Sequence, residues 1–383
     1  MGTPMMQKQS IVTAISAAAL LFAAPVLSSC SADHTPPVML YEKTEVTEAM
    51  YTYWMSGYKS YFLSLLGGED TEEFLNTVIQ IPNAAGGSDS ISVADYLSDR
   101  IEEIIENNCI SLHLFDAYGL ELPASTVSAV NEAVASEIEN AGGRKALNQT
   151  LSQICLNADS LREMYLCDEK ISYVYDYLYG NTTLGTTGAE PISTEQYNDY
   201  YEKNYVCVRH IYIRTADKNV LDENGDVQYE SDGSVVTAAL TEEEAAQKFA
   251  LCDELMARLD AGEDFITLEN EYSEDSGRYT LKNGYIVSRS TPLPDEFVNQ
   301  AFDMEIGEIA RVDASYATHI MLRTELPENG WADANYETMM GNFKELVKSE
   351  VYAEKIAPMI EKISVDEDLA KKHDIYNTPI SSY

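Results

Sequence analysis

The sequence predicts an α+β fold in which a segment containing strands, residues 205–326, lies between two helical parts. Two stretches of this segment, 206–214 and 317–325, alternate apolar and polar residues and are rich in β-branched and aromatic side chains, which is typical of half-buried strands. Before and after the segment, apolar residues recur at helical spacing, which indicates helices.

Composition narrows the range of partners. The chain has 383 residues, 45% of them hydrophobic, which is enough for two or three domains with ordinary cores. Its formal net charge is −39, whereas binding of nucleic acid requires a basic surface. We therefore expect no nucleic-acid partner, and anionic lipid surfaces are disfavoured for the same reason.

The amino terminus predicts export. An apolar run over 11–24 is too short to span a membrane and is followed by small residues, as in a signal peptide covering 1–29. The run leads to Leu27-Ser28-Ser29-Cys30, which resembles a bacterial lipobox. The resemblance implies that Cys30 is lipidated, with palmitate or a similar chain, and that 30–41 form a tether on the extracytoplasmic face of the cell membrane. An ordinary signal peptide with a cysteine near its end is the alternative.

Residues 42–180 predict an all-α domain. Thr47 is a candidate N-cap for the first helix, and Gly67, Gly119 and Gly180 stand where helices are expected to end. The aromatic stripe of the first helix indicates helix–helix packing, with a surface for client polypeptides as the alternative. A linker and a leading helix over 181–204 connect this domain to the strand-containing segment.

The other cysteines give no sign of a disulfide framework or a zinc site. They are Cys109, Cys155, Cys167, Cys207 and Cys252, an odd number without CxxC spacing. We expect buried, unpaired thiols at these positions.

An acidic insertion follows the first strand of the central segment. Asp222-Glu-Asn-Gly-Asp226 imitates the start of a calcium loop, but Val227 and Gly233 stand where that loop needs glycine and glutamate. Turns at Asn224-Gly225 and Asp232-Gly233 predict a hairpin instead.

The central segment resembles the parvulin family of peptidyl-prolyl isomerases. The motifs occur in the family's order: a His-Ile strand at His210, Gly-Glu-Asp-Phe then Tyr-Ser-x-Asp, Phe297 with Ala301-Phe302, Gly307-Glu308, and His319-Ile-x-Leu-Arg-Thr-Glu. The resemblance covers 205–326 and implies a four-stranded antiparallel sheet with surrounding helices.

The helical part resembles extracytoplasmic foldases of the PrsA and SurA type in its helix lengths and glycine stops. In such chains the C-terminal helices pack back on the amino-terminal helical domain. The resemblance therefore implies that 335–376 do the same here and that the isomerase domain is an insertion.

The parvulin resemblance also implies site residues. His210 and His319 match a pair of histidines on neighbouring strands, and Asp275 falls where the family has a cysteine or aspartate facing the substrate amide. Leu293 and Phe297, with Phe302 beneath, match the residues that grip the proline ring. Their alternatives are a helix cap for Asp275 and core packing for the apolar side chains. Two histidines without a third ligand at suitable spacing predict no metal, and no cofactor is implied.

The segment departs from the family at several positions. Ala314 replaces a threonine and Ala317 a glycine, and loss of the hydroxyl removes a link in the hydrogen bonds that reach the histidines. Acidic residues over 222–226 replace the basic pair that reads phosphoserine. Weak turnover and no phosphate specificity are therefore expected.

Three functions remain open on the sequence. The first is a membrane-anchored peptidyl-prolyl isomerase that assists folding of exported, proline-containing polypeptides. The second is a non-catalytic holdase with a degenerate parvulin domain, and the third is a structural surface lipoprotein. Whether the chain forms a homodimer is not decided by the sequence.

Overall fold

A computed structural model describes residues 37–82, 88–181 and 185–380. The predicted signal peptide, Cys30 and most of the tether lie outside the described residues. The described chain divides into two compact units. The sheet unit comprises Ile192–Val347, and the helical unit comprises 37–191 together with 348–380.

The helical unit begins with two short strands and contains six helices before residue 192. In chain order these elements are β1 (Pro37–Tyr41), β2 (Thr44–Thr47), α1 (Glu48–Leu66), α2 (Glu72–Leu75), β3 (Val78–Pro82), β4 (Ser88–Ser92), α3 (Val93–Ala117), α4 (Ala124–Asn140), α5 (Arg144–Leu151) and α6 (Ala158–Tyr179). The predicted start and end of α1 are confirmed. Thr47 Oγ1 accepts a hydrogen bond from the Met50 N–H, and Gly67 ends the helix at φ 66°.

The sheet unit alternates strands with helices. Its elements are α7 (Thr194–Asn204), β5 (Tyr205–Arg214), β6 (Asp217–Asn219), β7 (Thr237–Ala239), α8 (Glu242–Asp260), α9 (Phe265–Tyr272), β8 (Tyr285–Ser288), α10 (Asp295–Asp303), β9 (Ile309–Asp313), β10 (Ala317–Thr324) and α11 (Glu337–Met340). The chain continues in α12 (Phe343–Ile360), β11 (Ser364–Val365) and α13 (Glu367–Ala370). The division between the units falls within α12, so the C-terminal segment 335–376 contributes to both.

The predicted α+β class, with a four-stranded antiparallel sheet in the central segment, is confirmed. The strand order is β8-β5-β10-β9. One face of the sheet packs on α10 through Val208, Phe297 and Met321. The other face packs on α8 and α9 and includes Ile211 and Ile320. Alternate residues of each central strand thus enter different cores.

Small sheets in the helical unit were not predicted. Strands β1, β2 and β11 form one sheet, and β3 pairs with β4. The strands have only two to five residues each, which is too short for the alternation of polar and apolar residues to be recognised in sequence.

The predicted hairpin in the insertion is confirmed. Leu221 bridges to Val227, and Tyr229 bridges to Val235. Gly225 and Gly233 adopt φ values of 88° and 85° in the two turns, which glycine takes without steric cost.

The expectation of buried thiols is wrong for Cys155, which is exposed, whereas Cys109, Cys207 and Cys252 are buried and Cys167 is half-buried. Cys155 lies in a left-handed turn, at φ 61°, between α5 and α6. Its side chain is therefore on a connection and not on a packed helix face.

The described ranges contain neither a membrane-spanning helix nor a metal-binding cluster. Within them no helix has the length and apolar character needed to cross a bilayer. In the same ranges, no three His, Cys, Asp or Glu side chains cluster as a metal site would require.

Candidate functional site

The site begins with two histidines on the central strands of the sheet. β5 and β10 are antiparallel, with Met321 opposite His210 and His319 opposite Tyr212. His210 and His319 are therefore diagonal neighbours on one face of the sheet. Their rings stack at 5.2 Å and 17°, and their Nδ1 atoms lie 3.0 Å apart.

Asp275 reaches this pair from the connection after α9. Its Oδ2 lies 3.3 Å from His210 Nε2 and accepts a hydrogen bond of 2.6 Å from the Tyr285 hydroxyl. Its Oδ1 accepts from the Gly277 N–H at 2.9 Å. The carboxylate therefore has three donors around it.

The connection that carries Asp275 is fixed to the end of β5. The Ser273 hydroxyl accepts a hydrogen bond from the Tyr212 N–H at 3.1 Å, and the Glu274 N–H donates to the Tyr212 carbonyl at 2.8 Å. Hydrogen bonds to the Tyr212 backbone, rather than packing alone, hold the carboxylate beside His210.

The environment sets the charge of both ends of the cluster. Burial alone would raise the pKa of Asp275, but hydrogen bonds from His210, Tyr285 and Gly277 outweigh it and hold the pKa well below its usual range. Burial, followed by repulsion from His210, lowers the pKa of His319 to about 4. At neutral pH the site therefore holds a carboxylate and a neutral His319.

These charges constrain the protons. His210 Nε2 faces an acceptor, so it carries a proton. When His210 is neutral, its Nδ1 is an acceptor and His319 Nδ1 donates to it. His319 Nε2 then carries no proton and could accept a hydrogen bond, but it is buried and has no hydrogen-bond partner in the described part of the chain.

The apolar residues lie directly against the histidines. The Phe297 ring meets the His210 and His319 rings edge to face, at 5.4 and 5.0 Å. Leu293 and Phe302 are partly buried against the same core, and the Arg289 guanidinium lies 4.1 Å from the centre of the Phe302 ring. Phe297 is only 1% exposed, so a proline ring reaches it only when a neighbouring side chain moves.

The structure thus brings His210, His319, Asp275 and Phe297 into one cluster, with Leu293 and Phe302 at its edge. Sequence reasoning missed Tyr285, whose ring lies 5.0 Å from that of His210. The available signal was its place directly after the turn glycine, Gly284. That glycine has φ 103°, and a Cβ there would lie 2.6 Å from the Val208 carbonyl oxygen, which explains why glycine occupies the position.

Fold and cluster together define a class of domain. Residues 196–325 match the family model described as the PPIC-type PPIase domain, the peptidyl-prolyl isomerase family to which parvulins belong. This part of the chain is similar to that family, and the predicted resemblance to parvulins is confirmed.

The chain is also similar to foldases over a stretch longer than this domain. It is 25% identical to foldase protein PrsA of Halalkalibacterium halodurans over 236 residues, and this match covers 60% of each chain. It is 24% identical over 239 residues to foldase protein PrsA of Oceanobacillus iheyensis, which covers 61% of this chain and 75% of the other. The match thus spans about three fifths of the length of the first relative.

Among solved structures, PrsA from Bacillus subtilis is 17% identical, covering 78% of this chain and 94% of that one, with a TM-score of 0.22. The resemblance to PrsA-type foldases that the sequence predicted is confirmed by the curated relatives and the matching domain family.

Proposed function

We propose that this chain is a peptidyl-prolyl cis-trans isomerase that assists the folding of exported polypeptides from the extracytoplasmic face of a membrane, anchored through a lipid on Cys30. The observation that carries the proposal is the cluster of His210, His319 and Asp275 against Phe297, inside a domain of the PPIC-type family. The lipobox-like sequence supports the anchor.

Rotation about an X-Pro bond is opposed by amide resonance, with a barrier of about 18–20 kcal/mol. Resonance places negative charge on the carbonyl oxygen and is lost in the twisted state. In a site that excludes water, the negative Asp275 carboxylate beside the carbonyl oxygen of the X-Pro bond repels this charge. The planar amide is therefore disfavoured relative to the twisted state. Each 1.4 kcal/mol or so removed from the barrier gives about tenfold in rate.

In this scheme Asp275 is the catalytic residue. Tyr285 and His210 fix the orientation of its carboxylate through hydrogen bonds, and His319 fixes His210 in turn. Leu293, Phe297 and Phe302 hold the proline ring, and Leu293 and Phe302 are more accessible than Phe297 because they are only partly buried. No bond to a nucleophile forms, so no further group is required.

A refolding assay limited by proline isomerisation tests this function. Asp275→Ala is expected to remove most of the acceleration, and the exposed acid Glu271 of α9 supplies the matched control Glu271→Gln. Phe297→Leu is preferable to alanine, because truncating a buried phenylalanine to alanine costs about 3–5 kcal/mol of stability. Acceleration that survives in Asp275→Ala contradicts the assigned role.

The second candidate is a holdase, and two observations favour it. Phe297 is buried. Among the described residues His319 Nε2 has no hydrogen-bond partner, because Ala314, where the family has threonine, carries no hydroxyl. A holdase suppresses aggregation of an unfolded client without accelerating its refolding. Suppression that is equal in the wild-type protein and Asp275→Ala, with no acceleration in either, identifies this function.

A further inference from the structure

A second concave site lies beside the histidine cluster, within the sheet unit. It is a cavity of about 310 Å³ between the connection that follows β8, residues 288–293, and the segment 338–346, where α11 leads into α12. Gly341 makes the turn between these helices at φ 43°, a conformation that favours glycine. The cavity is therefore built by a defined turn and not by a loose chain end.

The cavity shares two residues with the proposed proline site. Tyr285 and Leu293 line it. Tyr285 also donates its hydroxyl to Asp275, and Leu293 also packs on the core that contains Phe297. A polypeptide with its proline on Leu293 would place an adjacent residue at the cavity, since an extended chain advances about 3.3 Å per residue.

The walls of the cavity indicate what it can bind. None of its lining residues, all within the described range 185–380, carries a charge, although the whole chain has a net charge of −39. Met339, Met340 and Leu346 supply apolar surface on one side, and Tyr205 is buried at 5% exposure. Methionine adapts its shape to different apolar partners.

Size limits the occupant further. Sites for whole small molecules are about 300–1,000 Å³ in volume, so this cavity is at the lower limit. One large aliphatic or aromatic side chain fits this volume and this chemistry. A charged side chain would lose its hydration without gaining an ion pair.

We propose that this cavity is a second substrate subsite, which takes an uncharged apolar side chain located within two residues of the isomerised proline. The inference rests on the proposed function, because the client polypeptide is its occupant. It gives the enzyme a preference for proline in hydrophobic sequence, which is exposed only while a client is unfolded.

The test uses the full chain and proline peptides that carry leucine, alanine or serine at each position within two residues of the proline. For the wild-type protein, kcat/KM is expected to be about tenfold higher with leucine than with alanine at one of these positions. Thr338→Trp, at an exposed position of the cavity wall, is expected to reduce this ratio to about one. Ser290→Trp, on the opposite wall, is a second variant should the first fail to fold.

The control is Thr237→Trp, an exposed threonine on β7, which should keep the wild-type ratio. Turnover that does not depend on the neighbouring residue overturns the subsite and leaves the proposed isomerase intact. A ratio that Thr338→Trp and Ser290→Trp both leave unchanged overturns it as well.

A binding experiment tests the subsite if the protein shows no isomerase activity. Leucine-containing proline peptides should shift the ε-methyl NMR signals of Met339 and Met340, and the alanine peptides should shift them much less. The methyl of Met256, on α8, serves as the reference signal. If the two peptides shift these signals equally, or shift neither of them, the subsite is overturned independently of catalysis. If the signals change only with the concentration of the protein, a second copy of the chain is the occupant, which overturns the subsite as well.

Discussion

His210 and His319 are 109 residues apart in sequence, yet their Nδ1 atoms lie 3.0 Å apart. Two imidazolium rings this close would repel each other, and His319 is buried, so the pair is stable only while His319 is neutral. The antiparallel register of β5 and β10 fixes this contact.

Acidification is expected to destabilise the protein through His319. Its pKa in the folded chain is lowered to about 4 from an ordinary value of 6.5, so the unfolded chain binds the proton first. The stabilisation is complete above pH 6.5 and is lost as the pH falls towards 4, by up to about 3 kcal/mol. Urea unfolding at pH 4 and pH 7 measures this, and His319→Gln should show a smaller difference between the two. An unchanged pH dependence in that variant contradicts the prediction.

Asp168 of α6 is expected to act in the opposite direction. Its carboxylate accepts hydrogen bonds from Tyr53 and Trp54 of α1, at 2.7 and 2.8 Å, yet burial raises its pKa to about 6. The folded chain therefore holds this proton more tightly than the unfolded chain. The resulting stabilisation is complete below about pH 4 and is lost as the pH rises through 6, by on the order of 3 kcal/mol.

Asp168→Asn should remove that contribution from the difference in unfolding free energy between pH 4 and pH 7. Asp116→Asn, at an exposed position of α3, is the control and should unfold with the wild-type pH dependence. Identical pH dependence of Asp168→Asn and the wild-type protein would show that the carboxylate is not protonated in this range.

Ala314→Thr is expected to increase isomerase activity. In the wild-type protein the Ala314 N–H donates to the Ala317 carbonyl at 2.9 Å. This pairing places both residues on the same face of the sheet as His319. A hydroxyl there can donate to the unpartnered Nε2 of His319. One such hydrogen bond contributes about 0.5–1.5 kcal/mol, or two- to tenfold in rate.

The matched control is Ala314→Val, which has the shape of threonine without the hydroxyl. The measurement is the refolding assay, together with the ¹⁵N chemical shift of His319 Nε2. An equal increase in the valine variant would assign the effect to packing and would contradict the hydrogen-bond explanation.

Cys30→Ala is expected to release the protein from membranes. On the proposed reading, acyl chains on Cys30 form the attachment, and within the described ranges no helix could replace them. Fractionation of cells should find the wild-type protein in the membrane pellet and the variant in the soluble exported fraction. Cys155→Ala, at an exposed cysteine, should stay with the membrane. Membrane retention of Cys30→Ala would disprove the lipid anchor.

Much of the fold was predictable because it depends on local pattern. Thr47 and Gly67 bound α1 where capping rules place them, and alternation identified β5 and β10. The hairpin turns at Gly225 and Gly233 followed from the need for positive φ. The candidate histidines came from the order of motifs along the chain.

Other features required the folded chain. The role of Tyr285 depends on the reach of a hydroxyl across the sheet to Asp275, and no local pattern encodes such a contact. The burial of Phe297 and the exposure of Cys155 likewise depend on which elements pack over them.

The sequence by itself therefore determined the strands, the helix ends and the chemical types of residue available to the site, because backbone hydrogen bonding and periodicity act between near neighbours. Only the tertiary structure decided that the Nδ1 atoms of His210 and His319 lie 3.0 Å apart, that Asp275 is held ionised beside them, and that an uncharged cavity adjoins Tyr285. These depend on strand register and side-chain packing between segments far apart in the chain, which local sequence does not specify.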